Sequence, residues 1–353
     1  MIAILSTLLT HSRLKTFRQC KRLHFFKYLQ GYRPVEDAEE LAFGSLFHLG
    51  LEQWWLGVKN GAPVDLWLTV ALSAVRGVKD VDPFHLALCE VMLAGYHARW
   101  CDAAADFEVL GVENQFIIAL RNPATGASSP AWKLAGKLDV KARRRSDGTV
   151  GFIEHKTAGG DISLGSFYWA RLRLDAQVSI YFDGASGAEQ AEWCLYDVAA
   201  KPSQRPLKAT PIESRKYLKK DMPDGRKAGT LYADQRENDE TPAEYRARLA
   251  DVITAAPDEY FVRGEVVRLE AELQEARAEI WQQAAEMREA INANRHPRNV
   301  EACGFGQRVC AFFAVCSGAE SLDNPRLFTR TDNVHAELAA PPSEQSPKEV
   351  GAA

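Results

Sequence analysis

Two short stretches of this chain carry the side chains that phosphoryl chemistry uses. The first is Gly136-Lys137-Leu138-Asp139; fifteen residues beyond its aspartate stands Glu154, in Glu154-His155-Lys156-Thr157. Two carboxylates suit a hard divalent cation such as magnesium, which takes oxygen ligands and keeps several waters. Such an ion polarises a phosphoryl oxygen and makes a water nucleophilic near neutral pH. A lysine alongside orients that water, helps to deprotonate it and offsets charge developing in the transition state. Asp139, Glu154 and Lys156 therefore read as working groups for metal-assisted phosphodiester hydrolysis.

Their geometry depends on the turn between them, at Ser146-Asp147-Gly148. With Asp147-Gly148 as a two-residue turn, Asp139 faces Lys156. Glu154 is then the diagonal neighbour of Asp139, roughly 7–8 Å away at the backbone. Strand side chains alternate, so Glu154 and Lys156 share one side, while Leu134, Leu138 and Val140 turn into the core. A three-residue turn breaks this register. The plainer alternative is a surface hairpin with ordinary acidic and basic residues.

A second set of chemical residues lies near the ends. Cys303, Cys310 and Cys316 fall within fourteen residues, and Gly304 and Gly306 give their loop backbone freedom. A closed tetrahedral thiolate site needs a fourth ligand, and Cys20 is the candidate. Four thiolates suit zinc or an iron–sulfur cluster, and the spacing leaves both open. Buried free thiols are the alternative. Cys89, Cys101 and Cys194 read as plain thiols in apolar surroundings.

The elements that must hold these residues follow from periodicity. Residues 8–30 read as a helix striped by Leu9, Leu14, Phe17, Leu23, Phe25, Phe26 and Leu29. Further helices are expected over 39–58, 65–78 and 83–103. Strands follow at 107–120, 132–141 and 149–155, then a helix at 171–182 and a strand at 192–198. Residues 200–260 are polar, 263–294 read as one long helix, and 295–318 as a cysteine-bearing loop. This order predicts an α/β fold, a mixed central sheet flanked by helices. The expectation is one domain over 1–319 and a disordered tail over 320–353, where Pro, Ser, Ala and charge dominate.

These pieces resemble the PD-(D/E)XK nuclease superfamily, and in particular its RecB-like branch. Gly44-Ser45-Leu46-Phe47-His48 is similar to the helical histidine motif, and Glu113 to the acidic position on the first strand. The hairpin residues resemble the metal-binding core, with Leu138 in place of the usual proline. Gln177-Val178-Ser179-Ile180-Tyr181 resembles the Gln-xxx-Tyr motif on the following helix. The ordered set covers about 140 residues. The resemblance implies a restriction-endonuclease-like fold. It implies that Asp139, Glu154, His48 and the backbone carbonyl of His155 bind Mg2+ or Mn2+, with Lys156 as the catalytic lysine. Gln177 and Tyr181, one helical turn apart, would orient the site and touch the DNA backbone. RecB-like nucleases of the AddB and CRISPR-adaptation type carry one N-terminal and three C-terminal cysteines around a [4Fe-4S] cluster. The six-and-five spacing here is more similar to phage-encoded relatives. Residue by residue, plainer readings stand beside these: His48 as a packed core histidine, Glu113 as a solubilising edge charge, and Gln177 and Tyr181 as helix surface.

The formal net charge of −4 gives no global support for nucleic-acid binding, so any such surface must be local. From Arg13 to Arg33 there are seven Lys or Arg and no Asp or Glu. Arg13, Lys15, Arg18, Lys21, Arg22 and Lys27 are the phosphate-binding candidates, with Phe17, Phe25 and Phe26 as possible stacking partners or as core. Arg263 and Arg268 are weaker candidates. No base-reading motif is visible, so little sequence specificity is expected. No apolar run spans a bilayer and residues 1–5 are too short for a signal core, which predicts a cytoplasmic protein without a membrane partner. The expected function is a DNA exonuclease on single-stranded or frayed ends, in phage or prophage DNA metabolism, recombination or repair. A non-catalytic DNA-end-binding module and a nuclease acting on RNA are the competing readings.

Overall fold

A computed structural model describes residues 7–35, 39–187, 189–305 and 308–338. The central sheet has six strands: β1 (Leu8–Leu9), β2 (Phe107–Arg121), β3 (Ser128–Arg144), β4 (Val150–Ala158), β5 (Ala191–Ala200) and β6 (Phe261–Val266). Strand β3 organises it. Antiparallel β2 lines one edge of β3 along most of its length. The other edge is divided: β1 pairs parallel at Lys133 and Leu134, and β4 pairs antiparallel from Val140 to Arg143. No strand pairs with residues 135–139 on that second edge among the described residues, so the sheet opens a notch where Asp139 stands. Beyond β4 the sheet continues with parallel β5 and antiparallel β6.

Helices cover both faces. α1 (His11–Gln19), α2 (Glu39–Lys59), α3 (Val64–Arg76) and α4 (Pro83–Trp100) precede the long strands. α5 (Phe167–Leu172) and α6 (Ala176–Ala185) join β4 to β5, α7 (Pro242–Ala255) precedes β6, and α8 (Glu270–Asn292) follows it. Leu134, Leu138 and Val140 are all buried, as expected, but in three separate apolar clusters. Strand β3 thus runs through the whole core and ties its parts together. This is the mixed sheet flanked by helices that the sequence predicts.

Several expected elements change. The helix over 8–30 breaks at Cys20, whose backbone is extended (φ −162°, ψ 119°), and Leu8–Leu9 is a strand. The helix expected from residue 263 starts at Glu270, because residues 261–266 pair with β5. Within 200–260, α7 was not expected, although Thr241 and Glu244 close a capping box with Pro242 at the first helical position. The tail does not begin at residue 320: Phe328–Arg330 pairs antiparallel with Tyr32–Pro34. Residues 339–353, residues 1–5 and Gly306 lie outside the described residues.

Candidate active site

The hairpin register differs from the expected one. Gly148 N donates to Arg144 O and Arg144 N to Thr149 O, both at 2.9 Å, which makes Arg145–Gly148 a four-residue connection. Gly148 takes φ +75°, and Asp147 Oδ1 accepts from Thr149 N at 2.9 Å, so glycine and aspartate still supply the turn chemistry. The ladder then runs from Arg143–Val150 to Val140–Ile153. The next positions along the two strands are Asp139 and Glu154, so Glu154, and not Lys156, continues the ladder opposite Asp139. The slip is of two residues, so it moves no side chain to the other face.

The strands part just beyond this point, and side chains fill the opening. Asp139 Oδ2 accepts from His155 N at 2.7 Å, and its Oδ1 lies 3.6 Å from His48 Nδ1 on α2. Glu154 Oε1 accepts from Lys156 Nζ at 2.5 Å and from Gln177 Nε2 at 2.8 Å. Lys156 Nζ also donates to Gln177 Oε1 at 3.2 Å. Gln177 lies in the first turn of α6, whose N-terminus Asp175 caps by accepting from Gln177 N at 2.8 Å. Tyr181 follows one turn later against Phe116 and Phe152. Gly136 permits this closeness, since a Cβ there would sit 2.5 Å from Phe116 and 2.9 Å from Tyr181. Glu113 pairs with Lys137 and holds φ +52°, a left-handed backbone that costs a non-glycine residue about 1–2 kcal/mol.

Charge and burial oppose each other throughout. Burial works to raise the Asp139 carboxyl, but the His48 imidazole facing it, with His155 and Lys156 nearby, holds it well below the usual range. Glu154 goes the other way. Burial pushes it up to about 7, Asp139 adds to the rise, and Lys156 offsets only part. Burial would lower Lys156 and His48, yet the facing carboxylates raise both. One oxygen, Glu154 Oε2, is buried without a hydrogen-bond partner. A divalent ion fits that vacancy of partners and this set of hard oxygens. Among the described residues, no three His, Cys, Asp or Glu side chains already stand close enough to close around an ion.

Every hairpin and helix residue singled out in the sequence thus falls in one neighbourhood. Reading the sequence missed Glu52, one turn after His48 on α2, whose carboxyl is raised by burial and by Glu113. The four-residue spacing from His48 was the available signal. It also missed the support beneath β4. His155 Nδ1 lies 3.4 Å from Asp197 Oδ2 on the neighbouring strand. That oxygen accepts from Tyr96 Oη at 2.7 Å and from Arg263 at 2.9 Å, and His155, Asp197 and Tyr96 are all buried.

The chain belongs to the PD-(D/E)XK nuclease superfamily. The superfamily's model matches residues 8–317, which spans all six strands of the central sheet and helices α1 to α8. It is therefore a nuclease hydrolase of a metal-dependent class, whose members generally use divalent ions such as Mg2+ or Mn2+, with DNA as the substrate the fold implies. No match was found among curated proteins. One solved structure, described as "Crystal structure of SSO0001", is similar at 14% identity over 70% of this chain and 76% of its own, with a TM-score of 0.23. That likeness is too slight to bear on fold or function. Among the described residues, no helix is long and apolar enough to cross a membrane.

The cysteines gather at the far end of α1. Asn299 N donates to Cys20 Sγ at 3.4 Å, Cys303 Sγ to Asn299 O at 3.6 Å, and Cys310 N to Cys303 O at 2.8 Å. Burial raises the Cys310 and Cys316 thiols, and the neighbouring cysteines raise them further. Among the described residues, no three of these thiols already stand close enough to hold an ion.

The basic stretch is only partly a surface. Arg13 is buried; it donates to Leu8 O at 2.8 Å and lies over the Trp132 and Tyr28 rings. Phe17 and Phe26 are core, and Phe25 stacks on His296. Arg268 is also buried, and Arg263 is half-buried and paired with Asp197, so both are engaged in internal contacts.

Proposed function

We propose that the chain is a Mg2+- or Mn2+-dependent deoxyribonuclease that digests single-stranded or frayed DNA ends as an exonuclease. The observation that carries this is the Lys156 ammonium, held between Glu154 Oε1 and Gln177 Oε1 next to an ionised Asp139. In this reading Asp139 and Glu154, with His48 and the His155 carbonyl, hold the divalent ion, which supplies Lewis-acid polarisation of the scissile phosphate and acidifies a water. Lys156 orients the attacking water and offsets charge on the phosphoryl oxygens. Gln177 fixes the lysine, and Tyr181 packs behind it towards the DNA backbone. Cys20, Cys303, Cys310 and Cys316 hold a [4Fe-4S] cluster, or Zn2+ in the alternative, as a structural staple. Roles in phage or prophage DNA metabolism, recombination or repair suit such chemistry.

A fluorescence-quenched oligonucleotide tests the reading. Single-stranded DNA, blunt duplex and RNA are compared in Mn2+, Mg2+ and EDTA. The expected result is cleavage of single-stranded DNA that EDTA abolishes. DNA binding without cleavage in any metal would replace the enzyme by an end-binding module, and RNA cleavage at equal or greater rate would replace its substrate.

A further inference from the structure

Two surfaces beside the cleft have no part in the chemistry above. One is the segment 159–175 between β4 and α6. Its anchors are internal: Ile162 and Leu172 are buried, and Trp169 Nε1 donates to Ile162 O at 2.7 Å. The buried Arg268 donates to Leu172 O at 2.7 Å and Asp175 O at 3.3 Å. With the segment pinned this way, its other large apolar side chains point outward. Leu164 is 68%, Phe167 82% and Leu174 92% exposed. Three such side chains within eleven residues of one pinned segment offer apolar area to a ligand. Arg171 and Arg173 are exposed between them, with no carboxylate partner among the described residues, and Arg171 lies 5.6 Å from the Tyr168 ring. The segment borders the site directly, since Asp175 caps the helix that carries Gln177.

The other surface is one face of α1. His11, Lys15 and Arg18 recur there at helical spacing. Lys15 and Arg18 are exposed and have no carboxylate partner among the described residues. The face begins beside Asp175 and Lys156, whose charges act on His11. It runs to a cleft of about 330 Å³ lined by Arg18, Lys21 and Arg298. Lys15 and Arg18 thus lead away from the hairpin towards Lys21, which lies over the Phe17 ring, and the exposed apolar side chains stand near the start of this line.

We propose that these surfaces form the two walls of a track for one unpaired DNA strand, in which Phe167 and Leu174 are the residues that select single strands. Phosphates lie on Lys15, Arg18 and Lys21, and bases pack on Phe167 and Leu174. A duplex keeps its base faces inside the stack, so an exposed phenylalanine gains nothing from it. An unpaired base offers its face, and stacking is tolerant of sequence. The inference rests on the nuclease reading of the same site and names its substrate form.

The test is binding of the full chain, in EDTA, to a labelled oligothymidylate and to a blunt duplex, read by anisotropy across a salt series. The double variant Phe167→Ala/Leu174→Ser is expected to weaken single-strand binding by about 5- to 150-fold, the range for losing one stacked base, and to leave duplex binding nearly unchanged. Phe167→Trp should restore the single-strand preference, which separates stacking from a general surface effect. Lys15→Ala/Arg18→Ala should weaken both ligands and reduce the single-strand salt slope by about 1.4. Equal loss on both ligands in the Phe167/Leu174 variant, or no loss, overturns the proposal. So does a wild-type chain whose oligomeric state changes with Phe167, because the patch is then a protein interface. If wild type cleaves DNA in Mn2+ while the variant keeps its strand preference, the track fails and the nuclease stands. If the variant loses strand preference and wild type never cleaves, the track stands and the nuclease fails.

Discussion

At the hairpin, each candidate metal ligand already has a neighbour that fixes it. Asp139 is held by the His155 amide and faces His48, and Glu154 is held by Lys156 and Gln177. The long strands β3 and β4 and the capped helix α6 supply the frame. At the cysteine end the frame is much slighter. Cys303 and Cys310 flank two strands of two residues each, Cys316 lies in a five-residue helix, and Cys20 sits at a break between helices. Its packing is a small apolar cluster around Phe26, Phe312 and Phe328. The difference separates two uses of a bound metal. Where the fold has prepaid the ordering of the ligands, binding energy is free for catalysis; where short elements wait on the ligand, binding free energy becomes folding free energy.

The largest expected effect is on rate. Asp139→Ala and Lys156→Ala are each expected to lower single-turnover cleavage by about 10²–10³-fold or more, the scale of losing one preorganised electrostatic group. Iron or zinc content should stay near wild type, because the cysteines lie at the far end of α1. Retained Mn2+-dependent cleavage in both variants would sink the assignment of the site. Cys20→Ala should do the reverse. It is expected to lose the chromophore and about 3–5 kcal/mol of stability, since the proposed cluster would close a loop of nearly the whole chain. Full iron content in that variant would remove Cys20 from the ligand set.

A third effect lies under the hairpin. Asp197→Asn leaves Arg263 buried without its carboxylate, and breaking such a pair typically costs about 3–5 kcal/mol. Urea unfolding of Asp197→Asn measures it, and the double variant Asp197→Asn/Arg263→Met should regain part of the loss. The Asp197 carboxyl is opposed by burial but depressed by Arg263 and His155. Its contribution is therefore present at neutral pH and lost as pH falls below about 4, towards the depressed folded value. If Asp197→Asn unfolds like wild type, the β4 support is not structural.

How far the sequence foretells this molecule can be judged at single residues. The hairpin was legible because alternation and a Ser-Asp-Gly turn survive in isolation, yet the loop length was not. Asp147-Gly148 serves a two-residue or a four-residue connection equally well, and only the ladder chooses. From Arg263 on, strand β6 reads as helix because its residues, with an exposed Glu265 and a half-buried Arg263, show weak alternation before a run rich in Glu and Ala. The helix at 242–255 did carry a readable start at Thr241-Pro242. Basic residues were the least legible. Arg13, Arg263 and Arg268 look like surface cations by type, but backbone carbonyls, carboxylates and aromatic faces distant in sequence hold them inside. The cysteine grouping followed from spacing, whereas the elements around it depend on contacts between residues far apart in the chain.

The smallest effect is the one most particular to the hairpin. Burial raises Glu154 from 4.5 to about 7, with Asp139 adding to the rise and Lys156 offsetting it. For an acid raised on folding, proton binding favours the folded state. The stabilisation is complete below about pH 4.5 and is lost as pH rises through about 7. Glu154→Gln keeps the shape and removes the titration. In EDTA, wild type should therefore lose stability relative to Glu154→Gln between pH 5 and pH 8, by on the order of a few degrees in melting temperature. Asp139 titrates below this window and does not contribute. Adding Mn2+ at pH 8 should restore wild type and leave Glu154→Gln where it was, because the ion takes the place of the proton on a carboxylate that otherwise has a buried, unpartnered oxygen. The same titration on Cys20→Ala should show the full swing, since its lost ligand is at the other end. A flat difference in EDTA would mean that Glu154 is hydrated in solution, and the hairpin would then be no better prepared for its ion than the cysteines are for theirs.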